Sequence, residues 1–227
     1  MRLKLIQKKP ETSDCITFVF QPEQPISWKP GQFLQYTLPH QNPDDRGEKR
    51  FFTIASAPYE NHIQVTTRFT LEKGSSFKNN LHKLNVGDEI ETQGPNGSFS
   101  LEDPDKSHVF LAGGIGITPF RSILLQLDHD QNPLNVTLLY SNRNEEIIFK
   151  NEFDGLAKKH PELKIHYIIE PQRIDLAAIQ SPISDLQSPT YYLSGPKPFV
   201  DAMKTNLEQL KIPTEQIKTD YFPGYEN

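Results

Sequence analysis

The residues with the clearest chemistry are three glycines that follow a short apolar run in the sequence HVFLAGGIGITPF, which begins at His108. They are Gly113, Gly114 and Gly116. Thr118 and Pro119 come next and favour the start of a helix, with the threonine as its N-cap. Glycines let a ligand approach the main chain, and the free N–H groups at a helix start attract negative charge. The stretch therefore predicts a phosphate site, although a tight turn without a ligand has the same pattern.

Two further predicted strands end on residues that suit a nucleotide site. One is followed by Asn142 and Arg143, and the other ends at Ser194 and continues with Gly195 and Pro196. Ligands bind beyond the carboxyl ends of the strands in a parallel sheet, so these residues are expected to share a cleft with the glycines. Taken singly, Arg143 fits a solvated loop charge better, and the Gly-Pro pair fits a plain turn.

In the first half of the chain, the run RFFTIAS begins at Arg50 and combines a cation, aromatic rings and a hydroxyl. Arginine is suited to bidentate phosphate contact. Phe52, two residues on, lies on the same face of a strand, with Phe51 between them and Thr53 next to it. On composition alone, an ordinary hydrophobic strand with an arginine at its rim is the simpler interpretation.

A second possible anion site stands before a predicted helix, at Gly74, Ser75 and Ser76. Serine is a favoured N-cap, and the first N–H groups of a helix are available to an anion.

These residues require two scaffolds. Short strand-like runs at 3–7, 15–20, 32–38, 50–56, 62–69 and 88–92, with one helix at 74–84, predict a six-stranded antiparallel barrel within residues 1–101. An acidic linker follows, and strands and helices then alternate over 107–227. The predicted strands are 109–112, 134–140, 163–169, 190–194 and 217–222, and the predicted helices are 119–128, 145–159, 175–186 and 197–211. Their apolar strands do not alternate, which predicts a doubly wound parallel sheet.

Composition excludes several classes of function. A net charge of −5 argues against nucleic acid as the main partner. No apolar run approaches the roughly 20 residues of a membrane span, and the start of the chain lacks the apolar core of a signal peptide, so we expect a cytoplasmic protein. One cysteine, Cys15, excludes an internal disulfide and a cysteine-ligated cluster or zinc site, and the histidine spacing supports no metal site.

The chain resembles the ferredoxin–NADP reductase superfamily of flavoprotein pyridine-nucleotide oxidoreductases in six motifs that occur in the family's order. They are RFFTIAS, GSSFKNNL, VGDEIETQGPNGSF, LAGGIGITPFRSIL, LLYSNRNEEIIFKNEF and YYLSGP. The resemblance extends over residues 3–222. It implies a flavin-binding barrel followed by a nucleotide-binding α/β domain, which matches the division predicted from the patterning.

The resemblance implies roles in FAD binding for the residues of the first half. Arg50 would hold the FAD pyrophosphate, Phe52 would pack on the flavin and its ribityl chain, and Thr53 would lie by the flavin N5. Ser75 and Ser76 would bind FAD phosphate.

For the second half, the resemblance implies a nicotinamide nucleotide site. Ser194 and its Gly-Pro turn would meet the nicotinamide, and Asp220 and Phe222 match the family's acidic-x-aromatic ending over the flavin, with Tyr225 as another shield. Thr53, Ser194 and Asp220 are the predicted catalytic residues. The remaining cofactor-binding predictions are Phe51, Thr67, Phe69, Gly74, Gly113, Gly114, Gly116, Thr118, Pro119, Asn142, Arg143, Gly195 and Pro196.

Three departures from the family pattern matter. Phe52 stands where a tyrosine is usual, which removes a phenolic hydrogen bond to the cofactor. Ser194 replaces a usual cysteine and keeps a small polar side chain. The chain also continues past Phe222, so the aromatic residue that covers the flavin is open.

The implied function is an FAD-dependent oxidoreductase that takes hydride from NADH or NADPH. Its electrons would pass to a separate carrier such as a ferredoxin or flavodoxin. Two alternatives are a reductase that uses free flavin as a substrate and a non-catalytic nucleotide-binding subunit. Arg50 with the two serines favours bound FAD over the first, and Thr53 with the intact glycine motif favours catalysis over the second. Arg143 and Lys150 leave the choice between NADH and NADPH open.

Overall fold

The computed structural model of the chain describes residues 1–70, 74–183, 186 and 188–222. Within them, the secondary structure forms two sheets, one in each half of the sequence. The strands and helices of each half follow the order predicted from the sequence.

The first sheet has six antiparallel strands in the order β4-β3-β6-β1-β2-β5. Their bounds are β1 Arg2–Pro10, β2 Cys15–Pro22, β3 Phe33–Thr37, β4 Lys49–Thr53, β5 Ile63–Arg68 and β6 Glu89–Asn96. Helix α1, Ser76–Lys83, lies between β5 and β6 in sequence. The edge strands approach each other, because the Ala55 N–H after β4 donates to the Gln64 carbonyl of β5 at 2.8 Å. This contact closes the sheet toward the predicted barrel.

The second sheet has five parallel strands in the order β11-β10-β7-β8-β9. Its strands are β7 His108–Gly113, β8 Val136–Asn142, β9 Lys164–Ile169, β10 Thr190–Pro196 and β11 Ile217–Phe222. Its helices are α2 Thr118–His129, α3 Lys150–Lys159, α4 Leu176–Ile183 and α5 Lys197–Gln209. Every residue of the central strand β7 is buried. The continuous apolar run that predicted a strand covered on both faces is therefore confirmed.

Two predicted helix starts are wrong. The prediction made Thr118 an N-cap, but a 3₁₀ turn over Gly114–Ile117 already leads into α2, and Thr118 lies inside the helix. Its hydroxyl donates to the Ile115 carbonyl at 3.2 Å, so it does not cap the helix start. Helix α3 begins at Lys150 and not at 145, because Phe149 has a left-handed backbone with φ of 61° that no helix continues through.

The two sheets share one hydrophobic core. Cys15, Ala57 and Phe99 of the first half lie in the same buried cluster as Phe110 and Phe120 of the second. Phe99 packs on Phe120 with ring centroids 5.8 Å apart. The halves are thus held together by apolar burial as well as by the chain between them.

A buried arginine adds a polar connection between the halves. Arg121 of α2 donates to the Ala55 carbonyl at 2.9 Å and forms paired hydrogen bonds with the Glu60 and Glu152 carboxylates at 2.7 to 3.1 Å. Ser122, the next residue, donates its hydroxyl to the Ser56 carbonyl at 2.7 Å. The start of α2 is therefore fixed against the loop that follows β4.

The helices of the described residues are short. The longest, α5, has 13 residues, whereas a membrane-spanning helix needs about 20. None of the helices in those parts of the chain is both long and apolar enough to cross a bilayer.

Candidate functional site

Arg50 is buried on β4, with 4% of its surface exposed. Its Nη2 donates to both carboxylate oxygens of Asp44, at 2.7 and 2.9 Å. Its Nη1 donates to the carbonyls of Arg46, Gly47 and Lys49, at 2.7 to 2.9 Å. The loop between β3 and β4 therefore wraps around the guanidinium and brings a carboxylate onto it.

The same carboxylate meets the start of helix α1. The Ser76 N–H donates to Asp44 Oδ2 at 2.8 Å, and the Asp44 N–H donates back to the Ser76 hydroxyl oxygen at 2.9 Å. Ser75 accepts from the Lys78 N–H at 3.3 Å, which confirms the predicted cap. His40 Nε2 lies 2.9 Å from the Ser76 hydroxyl. The structure thus brings Arg50 and the α1 start to one anion, which here is the Asp44 carboxylate.

Asp44 stays ionised in this arrangement. Burial raises its pKa, but hydrogen bonds from Arg50 and from Ser76 outweigh this and lower the pKa to about 2. A carboxylate that accepts charged and main-chain donors at once is stabilised in its ionised form. The site is consequently selective for an anion, as a phosphate site must be.

The aromatic residues after Arg50 alternate as a strand requires. Phe51 is 54% exposed, whereas Phe52 points inward and packs on Tyr36 and Phe77, with centroids 5.6 and 5.8 Å apart. Thr53, the last residue of β4, is buried. Beside this ring cluster, the Tyr36 hydroxyl and Arg50 Nε are buried and have no hydrogen-bond partner within the described residues. Buried polar atoms without a partner are uncommon and indicate a group that the protein alone does not supply.

Two of the three glycines serve the packing between the turn and the neighbouring strand. A Cβ atom built on Gly116 would lie 2.1 Å from the Ser194 carbonyl oxygen, and one on Gly113 would lie 2.7 Å from the Phe199 ring. Gly195 also packs on Phe199, at 3.0 Å from its position. Only glycine permits this close approach between the β7 turn and the end of β10.

Gly114 differs from them because its α-carbon faces a charge. Its φ is +52°, and the Arg68 Nη1 atom, at 3.6 Å, is what a Cβ there would meet. Arg68 ends β5, with its Nε 2.9 Å from the Asp14 carboxylate. The sequence analysis missed this cation, although an arginine between Thr67 and Phe69 at a predicted strand end was a usable signal. It forms, with the glycine turn, a second site suited to an anion.

Ser194 and Asp220 are neighbours in the second sheet. In the parallel register, Ser194 of β10 lies beside Ala112 of β7 on one side and Asp220 of β11 on the other. Ser194 is completely buried, and its hydroxyl has no partner among the residues the structure describes. Burial raises the pKa of Asp220 to about 6. The predicted catalytic residues of this sheet thus occupy one edge.

The other predicted residues fall in different surroundings. Thr67 is buried, and Phe69 packs on Phe18 and His82, with centroids 6.0 and 5.1 Å apart. Asn142 is buried at the end of β8, whereas Arg143 is exposed. Pro119 is in the first turn of α2, Gly74 precedes the cap of α1, and Pro196 is the N-cap of α5. Phe222 ends β11, where its side chain is not described, and Tyr225 lies outside the described residues.

Two protein-family models match the chain. The oxidoreductase FAD-binding domain matches residues 2–101, and the oxidoreductase NAD-binding domain matches residues 110–205. Together with the fold, they decide the family. The chain belongs to the ferredoxin–NADP reductase superfamily. Its two cofactors are therefore FAD, for the first sheet, and a nicotinamide nucleotide, for the second.

Individual relatives agree with this assignment. The glycine betaine monooxygenase reductase subunit of Chromohalobacter salexigens is 32% identical over 173 residues, which are 74% of this chain and 45% of that protein. The chain therefore spans about half the length of the curated relatives it matches. A cytochrome P450 reductase from Amycolatopsis superimposes with a TM-score of 0.83 at 20% identity, over 98% of this chain and 70% of its own. The ferredoxin–NADP+ reductase of Plasmodium falciparum gives 0.80 at 18% identity, over 97% and 95%.

The residues of the chain fit these cofactors. The Asp44 carboxylate stands where a phosphate would be held, between a buried guanidinium and a helix N–H. The unpartnered Ser194 hydroxyl and the open face of Gly114 beside Arg68 provide polar contacts for a nucleotide at the other sheet. Each half of the chain therefore contains an anion site of its own, as a protein that binds two dinucleotides requires.

Proposed function

We propose that this chain is the reductase unit of an electron-transfer system: it oxidises NADH or NADPH with bound FAD and delivers electrons to a separate protein. The observation that supports the proposal most directly is the convergence of Arg50 and the Ser76 N–H on a single anion. A carrier such as a ferredoxin or flavodoxin is the proposed acceptor. The relative from Chromohalobacter, named as the reductase subunit of a monooxygenase, supports a protein partner of this kind.

In this proposal, Arg50 and the start of α1 hold the FAD pyrophosphate, and Phe52 packs against the flavin. Arg68 and Gly114 receive the nicotinamide nucleotide's pyrophosphate, because they place a cation and an open main chain side by side. FAD supplies hydride acceptance and release of single electrons. Thr53 and Ser194 contribute buried hydroxyls that orient the reacting groups.

The electrons leave for a centre outside these 227 residues, because one cysteine cannot ligate an iron–sulfur cluster. Proteins of this kind act where reduced nicotinamide nucleotides are made. We therefore keep the cytoplasm as the proposed location. Fractionation of cells that produce a tagged chain tests it, and recovery with membranes would contradict it.

A second candidate, reduction of free flavin, is favoured by one observation. The Arg50 side chain is already engaged by the loop that precedes it, so a flavin that lacks the pyrophosphate loses no contact there. The two candidates differ in whether flavin copurifies with the protein and in whether riboflavin serves as a substrate.

The visible absorption spectrum of the purified protein tests the proposal. We expect a flavin spectrum, as isolated or after FAD is added, that bleaches anaerobically with NADH or NADPH. The nucleotide that bleaches it faster is the preferred donor. A protein that takes up no flavin would exclude the proposal, and bleaching that requires excess riboflavin would establish the second candidate.

A matched pair of variants ties this result to the site. Arg50→Ala removes the buried cation, so we expect loss of bound FAD, whereas Lys49→Ala removes an exposed charge one residue away and is expected to retain it. FAD content per protein, measured by release of the flavin in acid, compares the two. Equal contents would remove Arg50 from the site.

A further inference from the structure

We infer that Asp44 is an internal competitor for the phosphate groups of the flavin cofactor and so sets how strongly the chain distinguishes FAD from flavins without a pyrophosphate. The inference rests on the proposed function, since it concerns the same site. It concerns the loop between Leu38 and Lys49, which none of the predicted cofactor contacts includes.

The contacts of Arg50 show that its donors are in use. Nη2 is paired with both Asp44 oxygens, and Nη1 donates to three carbonyls of the same loop. Only Nε lacks a partner within the described residues. A phosphate that binds this guanidinium through its Nη atoms must therefore displace Asp44.

The second anion ligand is engaged by the same carboxylate. The Ser76 N–H donates to Asp44 Oδ2, so one side chain satisfies both the cation and the helix start. Asp44 reaches them from a surface loop, and 31% of its side chain is exposed, compared with 5% for Arg50. The carboxylate can leave toward solvent when the loop moves, whereas the guanidinium stays buried on a strand.

The exchange of one anion for another explains the consequence for affinity. A phosphate gains contacts with Arg50 and Ser76, but the protein first loses the contacts that Asp44 makes with them. The net gain from the pyrophosphate is the difference between these terms, and it is smaller than in a site without an internal anion. A flavin without a pyrophosphate makes no such exchange, because it leaves Asp44 in place.

Binding measurements on three proteins test the inference: the wild type, Asp44→Asn and Asp45→Asn. Both variants lose one negative charge from the same loop, but Asp45 is exposed and is a matched control. Dissociation constants for FAD and for riboflavin are obtained from the quenching of flavin fluorescence. Inorganic pyrophosphate serves as a probe without a flavin ring, and its binding is measured by calorimetry.

We expect Asp44→Asn to bind FAD and pyrophosphate about tenfold more tightly than the wild type, because it removes the competing charge. Its riboflavin affinity should be unchanged, and Asp45→Asn should match the wild type throughout. The melting temperature without ligand should fall in Asp44→Asn, whereas the rise caused by FAD should be larger.

Unchanged or weaker FAD binding by Asp44→Asn would overturn the inference, because the carboxylate would then support the cofactor. Equal tightening of FAD and riboflavin would also overturn it, because the loop would act by opening the site and not through phosphate. Failure of the proposed function has a different signature. No protein would then bind either flavin, and a tighter pyrophosphate site in Asp44→Asn alone would still support the exchange, while an unchanged one would reject both.

Discussion

Two buried serines at the interface between the sheets differ in one atom contact. Ser122 donates its hydroxyl to the Ser56 carbonyl at 2.7 Å, whereas the Ser194 hydroxyl has no partner in the described part of the chain. Both side chains are completely buried. A buried hydroxyl without a partner reduces stability, so its presence is explained best by a ligand that completes its hydrogen bonding.

The effect of Ser194→Ala on stability and on catalysis should therefore diverge. We expect the free energy of unfolding to stay within about 0.5 kcal/mol of the wild type, because no hydrogen bond is lost, while Ser122→Ala loses about 1 kcal/mol. Flavin reduction by NADH or NADPH should slow about tenfold in Ser194→Ala. Denaturant unfolding and anaerobic stopped-flow measure the two effects. A loss of stability equal to that of Ser122→Ala would identify Ser194 as structural.

Asp220 makes the stability of the chain depend on pH. Burial raises its pKa from the ordinary value of 3.8 to about 6. The unfolded chain therefore releases this proton at lower pH than the folded chain does. The folded state is favoured below pH 4, loses this advantage as the pH rises to about 6, and stays at the lower level above it.

Replacement by asparagine removes this dependence. We expect Asp220→Asn to match the wild type near pH 4 and to exceed its free energy of unfolding by about 2 kcal/mol at pH 7. Urea unfolding of both proteins at several pH values measures the difference. A constant difference across this range would show that the Asp220 carboxyl titrates at an ordinary pH.

At the scale of elements, the start of α2 determines how the two sheets meet. The Arg121 guanidinium, 7% exposed, bonds to Glu60 from the loop after β4 and to Glu152 from α3. Its charge also lies over the Phe149 ring, 5.2 Å from the centroid. Removal of one partner from such a group leaves buried charges unpaired, which costs more than the loss of an exposed pair.

The variant Arg121→Met tests this connection. We expect the free energy of unfolding to fall by about 3 kcal/mol, because two carboxylates lose their partner. Arg2→Met makes the same substitution in an exposed pair with Glu89 and should change stability by no more than about 0.5 kcal/mol. Thermal or urea unfolding of both variants measures the contrast. Equal effects would show that the Arg121 cluster contributes no more than a surface ion pair.

At the scale of the whole molecule, the hydrophobic core crosses between the sheets. Cys15, Ala57 and Phe99 share a cluster with the residues under α2. A half that unfolded alone would expose the apolar face that it buries against the other half. Apolar burial of this kind favours cooperative unfolding.

We therefore expect one unfolding transition in differential scanning calorimetry of the full chain. The calorimetric enthalpy should equal the van't Hoff enthalpy, as in a two-state process. Added FAD should raise the temperature of that single transition. Two separated transitions, with only one moved by FAD, would contradict this and would show that the halves are independent.

The sequence alone was sufficient for the order of the elements and for the general chemistry. The apolar run before Gly113, the glycines themselves and the Pro and Gly punctuation of the first half act locally, so they predict strands, turns and a helix start correctly. Arg50 was recognised because a guanidinium in an apolar strand is conspicuous at short range. Helix ends were less predictable, since Phe149 adopts its left-handed backbone where it packs against Phe153 and Arg121.

Only the tertiary structure decided which residues meet. Asp44 and Arg68 lie in stretches without a distinctive local pattern, yet they contact Arg50 and face Gly114 respectively. These contacts arise because β-strand pairing and the shared core bring together residues that are distant in sequence, and no local preference encodes that pairing. The residue types determined that the chain has anion sites, and the packing of two sheets determined which side chains complete them and which one occupies the first.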